Sequence, residues 1–114
     1  MKRLVHWLFL LLMATAAFAA DVRYNGIKPD FIIDVRTPDE FSAGHIPGAI
    51  NRPLSTFRAS ELPASAGKVL VLNCAAGRRS AMALDKCEAA RVEVDTHLAG
   101  GFGAWLAAGL QAEA

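Results

Sequence analysis

Two short apolar runs, Phe31-Ile32-Ile33-Asp34-Val35 and Val69-Leu70-Val71-Leu72-Asn73, stand out along an otherwise mixed chain. Runs that are apolar at nearly every position and contain β-branched residues read as strands buried on both faces, as in a parallel sheet. After the first run, Thr37-Pro38-Asp39-Glu40 carries a helix start: Thr37 as N-cap, Pro38 at N1 and Glu40 at N3, closing a capping box. Gly44 stops that helix after little more than a turn. His45-Ile46-Pro47-Gly48 then reads as a turn, and Ala49-Ile50-Asn51 as a short strand. Ser55 to Leu62 predicts a short helix ending before Pro63. A longer helix is expected from Arg79 to about Arg91. Val92, Val94, Thr96 and Leu98 alternate with Glu93, Asp95 and His97, the pattern of a half-exposed strand. Gly100-Gly101 turns the chain into a last helix that carries Phe102, Trp105 and Leu106, with Gly109 near its end and Phe102 and Trp105 read as core. Strands alternating with short helices predict one α/β domain, with a mostly parallel central sheet flanked by those helices.

The amino terminus follows a different pattern. Lys2-Arg3 precede an apolar stretch from Leu4 to Met13, broken only by His6, and Ala17-Phe18-Ala19 supplies a small-x-small cleavage pattern. This predicts a signal peptide over residues 1–19, cleaved after Ala19, with the domain occupying residues 20–114. The apolar run is short for a membrane span, which needs about 20 residues. No Cys follows it to take a lipid, and no twin Arg precedes it. Export as an unfolded chain to the periplasm is therefore expected, with no stable membrane association after cleavage. Loss of Lys2 and Arg3 takes the 12 basic residues of the chain to 10, against 11 acidic ones, a mature net charge of −1. That balance argues against nucleic acid as a partner.

The second apolar run leads into Cys74-Ala75-Ala76-Gly77-Arg78-Arg79-Ser80. A thiol between a buried strand and a helix start meets backbone N–H groups that have no intrahelical partner. Those donors and the helix dipole favour an anion there. Thiolate is the nucleophilic form, and such a setting lowers a cysteine pKa. Gly77 permits a tight curl, and Arg78 and Arg79 add positive charge. Ligands of parallel sheets bind at the carboxyl ends of strands, where Cys74 sits. The other cysteine, Cys87, falls about eight residues into the following helix, about 12 Å along its axis. A disulfide needs Cα atoms within about 7 Å. Two free thiols are expected, with Cys87 a core residue. No Cys/His spacing resembles a metal site, and neither a metal nor a cofactor is expected.

These residues, in this order, resemble the rhodanese family. The amino-terminal signature is carried by Asp34-Val35-Arg36, Glu40-Phe41 and Gly44 to Asn51. The active-site loop is matched by Cys74-x-x-Gly77-x-Arg79-Ser80, and the carboxy-terminal signature by Leu98-x-Gly100-Gly101 with Trp105 and Gly109. The matches span residues 31 to 110. A single exported domain with Ala-Gly-Arg in its loop is especially similar to the phage-shock-protein-E type of periplasmic thiosulfate sulfurtransferase. Three departures stand out. Asp21 to Phe31 is short for the family's first strand and helix. Arg91 stands where Gly is frequent, and Cys87 where a core aliphatic residue is usual.

The resemblance implies that Cys74 attacks the outer sulfur of a small sulfur-containing anion such as thiosulfate and carries it as a persulfide. A thiol, cyanide or a protein dithiol then accepts that sulfur. Two steps through a covalent enzyme form imply ping-pong kinetics. The backbone of Ala75, Ala76, Gly77, Arg78, Arg79 and Ser80 would hold the anion. Arg78 is expected to face the pocket mouth. Arg79 is expected to brace loop carbonyls or a carboxylate such as Glu40. Ser80 either caps the helix or offers its hydroxyl to the sulfur, with capping the simpler reading. Asp34 and Arg36 either organise the site or form a structural ion pair. His45 belongs to a turn signature and a helix-start thiolate needs no base, so no Cys-His dyad is expected; with no metal-site spacing, His45 and His97 are read as structural or exposed. The rival enzymatic reading is a phosphatase or arsenate reductase of the same fold, the phosphatases having a Cys-x5-Arg loop; the loop here, Cys74 to Arg79, is one residue shorter. The rival of another class is a non-enzymatic sulfur carrier, or a partner-binding or redox-sensing module.

Overall fold

The computed structural model describes residues 28–63, 67–94 and 96–114. The predicted signal peptide and most of the short stretch before Phe31 lie outside the described residues. Within them the order is β1 (Phe31–Asp34), α1 (Pro38–Ala43), β2 (Ile50–Asn51), two 3-10 turns (Leu54–Thr56 and Ala59–Glu61), β3 (Leu70–Asn73), α2 (Arg78–Ala89), β4 (Thr96–His97) and α3 (Gly101–Ala107).

The four strands form one parallel sheet in the order β2-β1-β3-β4. Both faces are covered, which explains why β1 and β3 are continuous apolar runs and not alternating ones. On one face Ile33, Val35, Leu70, Leu72 and Cys74 pack against Ala83 and Cys87 of α2 and against Phe57. On the other, Ile32 and Val71 pack against Ile46, Leu98, Phe102 and Trp105. The chain leaves β1 toward β2 and leaves β3 toward β4, on opposite sides. The reversal of strand order therefore falls between β1 and β3, where ligands of open parallel sheets bind. Asp34 and Asn73 end those two strands in register.

Helix α1 starts as its sequence dictates. Thr37 Oγ1 accepts from the Glu40 amide at 3.2 Å, and Glu40 Oε1 accepts from the Thr37 amide at 3.0 Å. Helix α2 runs from Arg78 and closes earlier than Arg91. Arg91 takes a left-handed conformation, φ 58°. Its amide donates to the Glu88 carbonyl and that of Val92 to the Cys87 carbonyl, at 3.1 and 2.9 Å. This is a Schellman closure with Arg where Gly is the favoured residue.

Two predicted elements differ. The helix expected over Ser55 to Leu62 is instead a pair of 3-10 turns. Phe57 and Arg58 between them are extended, so that Phe57 and Ala59 both reach the core. A continuous helix would send residues two apart to different faces. The strand expected through Val92 to Leu98 is reduced to Thr96–His97, and its alternation does not persist. Val92 and Val94 pack on the α2 side of the sheet, whereas Leu98 packs on the α3 side. A change of parity by one residue sends every later side chain to the opposite face.

The carboxyl terminus returns to the turn after α1. His45 and Glu113 exchange backbone hydrogen bonds of 2.8 and 2.9 Å. The Trp105 indole donates to the Gln111 carbonyl at 2.8 Å.

Candidate active site

Strand β3 delivers Cys74 to the switch point, and α2 begins four residues later. Gly77, at φ 104°, is the N-cap of α2. Its amide donates to Cys74 Sγ at 3.0 Å. The sulfur is buried, with the residue 1 % exposed. Burial raises the thiol pKa, but the Ser80 hydroxyl and the amides of Ser80, Gly77 and Ala76 outweigh it. The thiol is held below its ordinary value. For Cys87, burial acts alone and pushes the thiol up. Both cysteines are free. The fold thus presents one cysteine ready to be an anion and one that is not.

The amides of the loop face the sulfur because its carbonyls are held elsewhere. The first turn of α3 donates to them: Phe102 N–H to the Cys74 carbonyl at 2.7 Å and Gly103 N–H to the Ala75 carbonyl at 2.9 Å. Gly101 makes this approach possible. It has φ 60°, and a Cβ there would sit 2.5 Å from the Cys74 carbonyl oxygen. On the other side of the loop, a Cβ on Gly77 would run into the Ala99 carbonyl. Residues Ala99 to Gly103 are therefore the wall against which the cradle is shaped. The glycine pair was visible in the sequence as a turn. Its contact with the loop was not.

Arg79 and Glu40 join α2 to α1. Arg79 Nη1 donates to Glu40 Oε1 at 2.7 Å and Nη2 to Oε2 at 3.0 Å, a two-pronged pair. Arg79 is thus the expected brace, through the carboxylate named for it. Arg78 is exposed and its guanidinium makes no hydrogen bond or ion pair among the described residues, and Ala76 is also exposed. Asp34 and Arg36 form a buried pair at the end of β1, with Nη2 to Oδ2 at 2.8 Å. Arg36 also donates to the Gly44 carbonyl at 2.7 Å, and its guanidinium lies 4.4 Å from the centre of the Phe102 ring. Neither residue hydrogen-bonds the sulfur. They fasten β1, the turn after α1 and Phe102, whose amide holds the Cys74 carbonyl.

Ser80 does not cap α2. The helix begins at Arg78, so Ser80 lies inside its first turn, fully buried. Its hydroxyl lies 3.1 Å from the Gly77 carbonyl, 3.5 Å from Cys74 Sγ and 2.9 Å from His97 Nδ1. His97 is accordingly neither a free surface residue nor remote from the site. Its alternation with Val94 and Thr96 hid this, because the change of parity before β4 turns His97 toward α2. His45 is structural. It stacks on Phe41 at 3.7 Å and places Nδ1 2.8 Å from the Phe41 carbonyl, with Nε2 3.3 Å from Glu113.

The fold and the site define a small α/β domain with a parallel sheet and, at its switch point, a cysteine whose surroundings favour the anion. The rhodanese-like domain model matches residues 18–108, and the chain belongs to that family. Rhodanese-like domains commonly carry sulfurtransferase activity. The chain is 46% identical over 79 residues to an uncharacterized protein of Synechocystis sp., covering 69% of this chain and 44% of that protein. It therefore spans less than half the length of that relative. Among solved structures it resembles a rhodanese-related protein of Thermoplasma volcanium, with 31% identity, a TM-score of 0.67 and coverage of 83% of this chain and 93% of that one. It also resembles a Rhodopseudomonas palustris protein of unknown function described as a possible tyrosine phosphatase. There the identity is 30% and the TM-score 0.64, over 90% of this chain and 77% of that one.

Proposed function

We propose that the protein is a periplasmic thiosulfate sulfurtransferase of the single-domain, phage-shock-protein-E type, carrying sulfur as a persulfide on Cys74. One observation supports this above the others: the loop amides converge on the cysteine sulfur itself, with Gly77 N–H at 3.0 Å. The Cys74 thiolate attacks the outer sulfur of thiosulfate. A sulfur–sulfur bond forms to Cys74, and the bond to the sulfonate breaks with its electron pair, releasing sulfite. The persulfide keeps the negative charge that the amides hold. Cyanide, a thiolate or a protein dithiol then attacks the outer sulfur and returns Cys74 as thiolate. Arg78, exposed beside the cradle, attracts the anionic donor. The short side chains of Ala75 and Ala76 leave the backbone to form the binding surface. Periplasmic location rests on the amino-terminal pattern of charge, apolar run and small residues.

Intact-protein mass spectrometry before and after thiosulfate treatment tests the proposal. The expected result is a gain of one sulfur atom, localised to Cys74, lost on adding cyanide and absent in Cys74→Ser. No gain on a protein with two titratable thiols would reject thiosulfate as donor. The description of the Rhodopseudomonas relative suggests phosphate-ester hydrolysis as the competing activity. The Cys-x4-Arg loop opposes it, since amides drawn onto the sulfur are not arrayed around a phosphoryl group. Hydrolysis of p-nitrophenyl phosphate that depends on Cys74, without sulfur transfer, would reverse the assignment.

A further inference from the structure

His97 reaches the reactive sulfur through a single intervening oxygen. It lies opposite Leu72 in the β3–β4 register, two residues before Cys74 on the same face of the sheet. Its Nδ1 is 2.9 Å from Ser80 Oγ, and that oxygen is 3.5 Å from Cys74 Sγ. Ser80 is fully buried, so its partners are set by the protein around it. Its hydroxyl has one proton to give and two lone pairs to fill.

The proton count decides the roles. The Gly77 carbonyl, 3.1 Å away, can only accept. While Cys74 is a thiol, the hydroxyl donates to that carbonyl and its oxygen receives the S–H and an N–H from His97. Once the sulfur is an anion it too can only accept. The hydroxyl proton must then serve the sulfur, and the oxygen still needs a donor. A bare Nδ1 would take the hydroxyl proton for itself and leave the sulfur without it. An Nδ1–H does the reverse, because a hydroxyl that is accepting a hydrogen bond donates more strongly.

We propose that His97 is a positioning residue: by donating from Nδ1 to Ser80 Oγ, it keeps the Ser80 proton directed at the sulfur anion of Cys74. The proposal rests on the reading of Cys74 as the sulfur-carrying nucleophile. It agrees with the place of the Ser80 hydroxyl as the foremost influence favouring the thiolate. Of the charged groups on the neighbouring elements, Arg78 of α2 is exposed to solvent, and the others near the site are paired with one another. Arg79 of α2 is paired with Glu40 of α1, and Asp34 with Arg36 after β1. None of them hydrogen-bonds Ser80 or His97 among the described residues.

The test follows ionisation of Cys74 through the pH dependence of its alkylation by iodoacetamide, read by mass at the Cys74 peptide. Asn at position 97 can set an amide nitrogen where Nδ1 stands, whereas Gln reaches toward the place of Nε2. We expect His97→Leu and His97→Gln to raise the midpoint by about one unit, the size of one hydrogen bond to a charged group. His97→Asn should restore it. Ser80→Ala should raise it as far as His97→Leu, and the double variant His97→Leu/Ser80→Ala should go no further. An unmoved midpoint in His97→Leu, failure of Asn to do better than Gln, or additive shifts in the double variant would each overturn the proposal. Should the Leu variant not fold, the contrast of Asn with Gln decides. An ordinary midpoint in the unmodified protein would instead count against the role of Cys74 itself, which separates the two failures.

Discussion

Replacement of Gly101 by Ala tests whether the first turn of α3 shapes the sulfur cradle. Two costs can be worked from the structure. The residue holds φ 60°, and an L-residue there costs about 1–2 kcal/mol. The new Cβ would also stand 2.5 Å from the Cys74 carbonyl oxygen and 2.6 Å from the carbonyl carbon and oxygen of Ala75, all backbone atoms that cannot swing aside. Relief requires α3 to move off the loop. That movement breaks the hydrogen bonds from Phe102 and Gly103 to those carbonyls, at about 1 kcal/mol each. The expected destabilisation is about 3–4 kcal/mol, tolerable for a domain of ordinary stability. Gly109→Ala is the control: φ there is 77°, but its Cβ would meet nothing within 4 Å, so only the backbone strain remains. Urea unfolding of the two variants isolates the contact. The functional effect should be separate and larger than the control shows. With the carbonyls of Cys74 and Ala75 released, the amides no longer face the sulfur, and loss of one such bond moves the thiol midpoint up by about one unit. Equal stabilities for the two variants, with Cys74 alkylated as readily as in the unmodified protein, would refute the reasoning.

Two other consequences can be checked by unfolding measurements. Arg79, then the Thr37 amide, hold the Glu40 carboxyl down at about 2 against an ordinary 4.5. Its stabilisation is therefore complete above about pH 4.5 and is lost as pH falls from there toward 2. The Glu40 side chain is 37% exposed, so Glu40→Gln should cost only about 1 kcal/mol in urea unfolding at pH 7. The gap should close by about pH 2, and a gap unchanged in acid would contradict the pairing. Arg91→Gly should instead stabilise the domain. It removes the left-handed strain at φ 58° and gives back part of that gain as chain entropy, for a net of about 0.5–1 kcal/mol. A rise of a few degrees in melting temperature is expected, and a fall would show that Arg91 has a compensating contact.

What could be read directly from the chain was whatever its neighbours in sequence determine. The capping box of Thr37 and Glu40, the doubly buried strands, the placement of Cys74 between strand and helix, and the separation of Cys74 from Cys87 all depend on a few consecutive residues. Their periodicity and backbone chemistry carry the information. Even the Arg79 brace could be anticipated, because a guanidinium beside the loop needs a carboxylate and Glu40 follows the adjacent strand. The elements around Phe57 were harder to read, since burial of Phe57 and Ala59, two residues apart, overrode a helix. The remaining features belong to the tertiary structure. Ser80 has a capping residue's chemistry, yet the helix starts two residues before it and turns its hydroxyl to the sulfur. Gly101 meets the Cys74 carbonyl and His97 meets Ser80 only because β4 lies beside β3 and α3 returns across the strand ends. A one-residue change of parity before β4 decides which face His97 takes, and nothing local to Thr96-His97-Leu98 records it. Contacts of that kind are set by strand order and register, which are properties of the whole packed core and not of any segment.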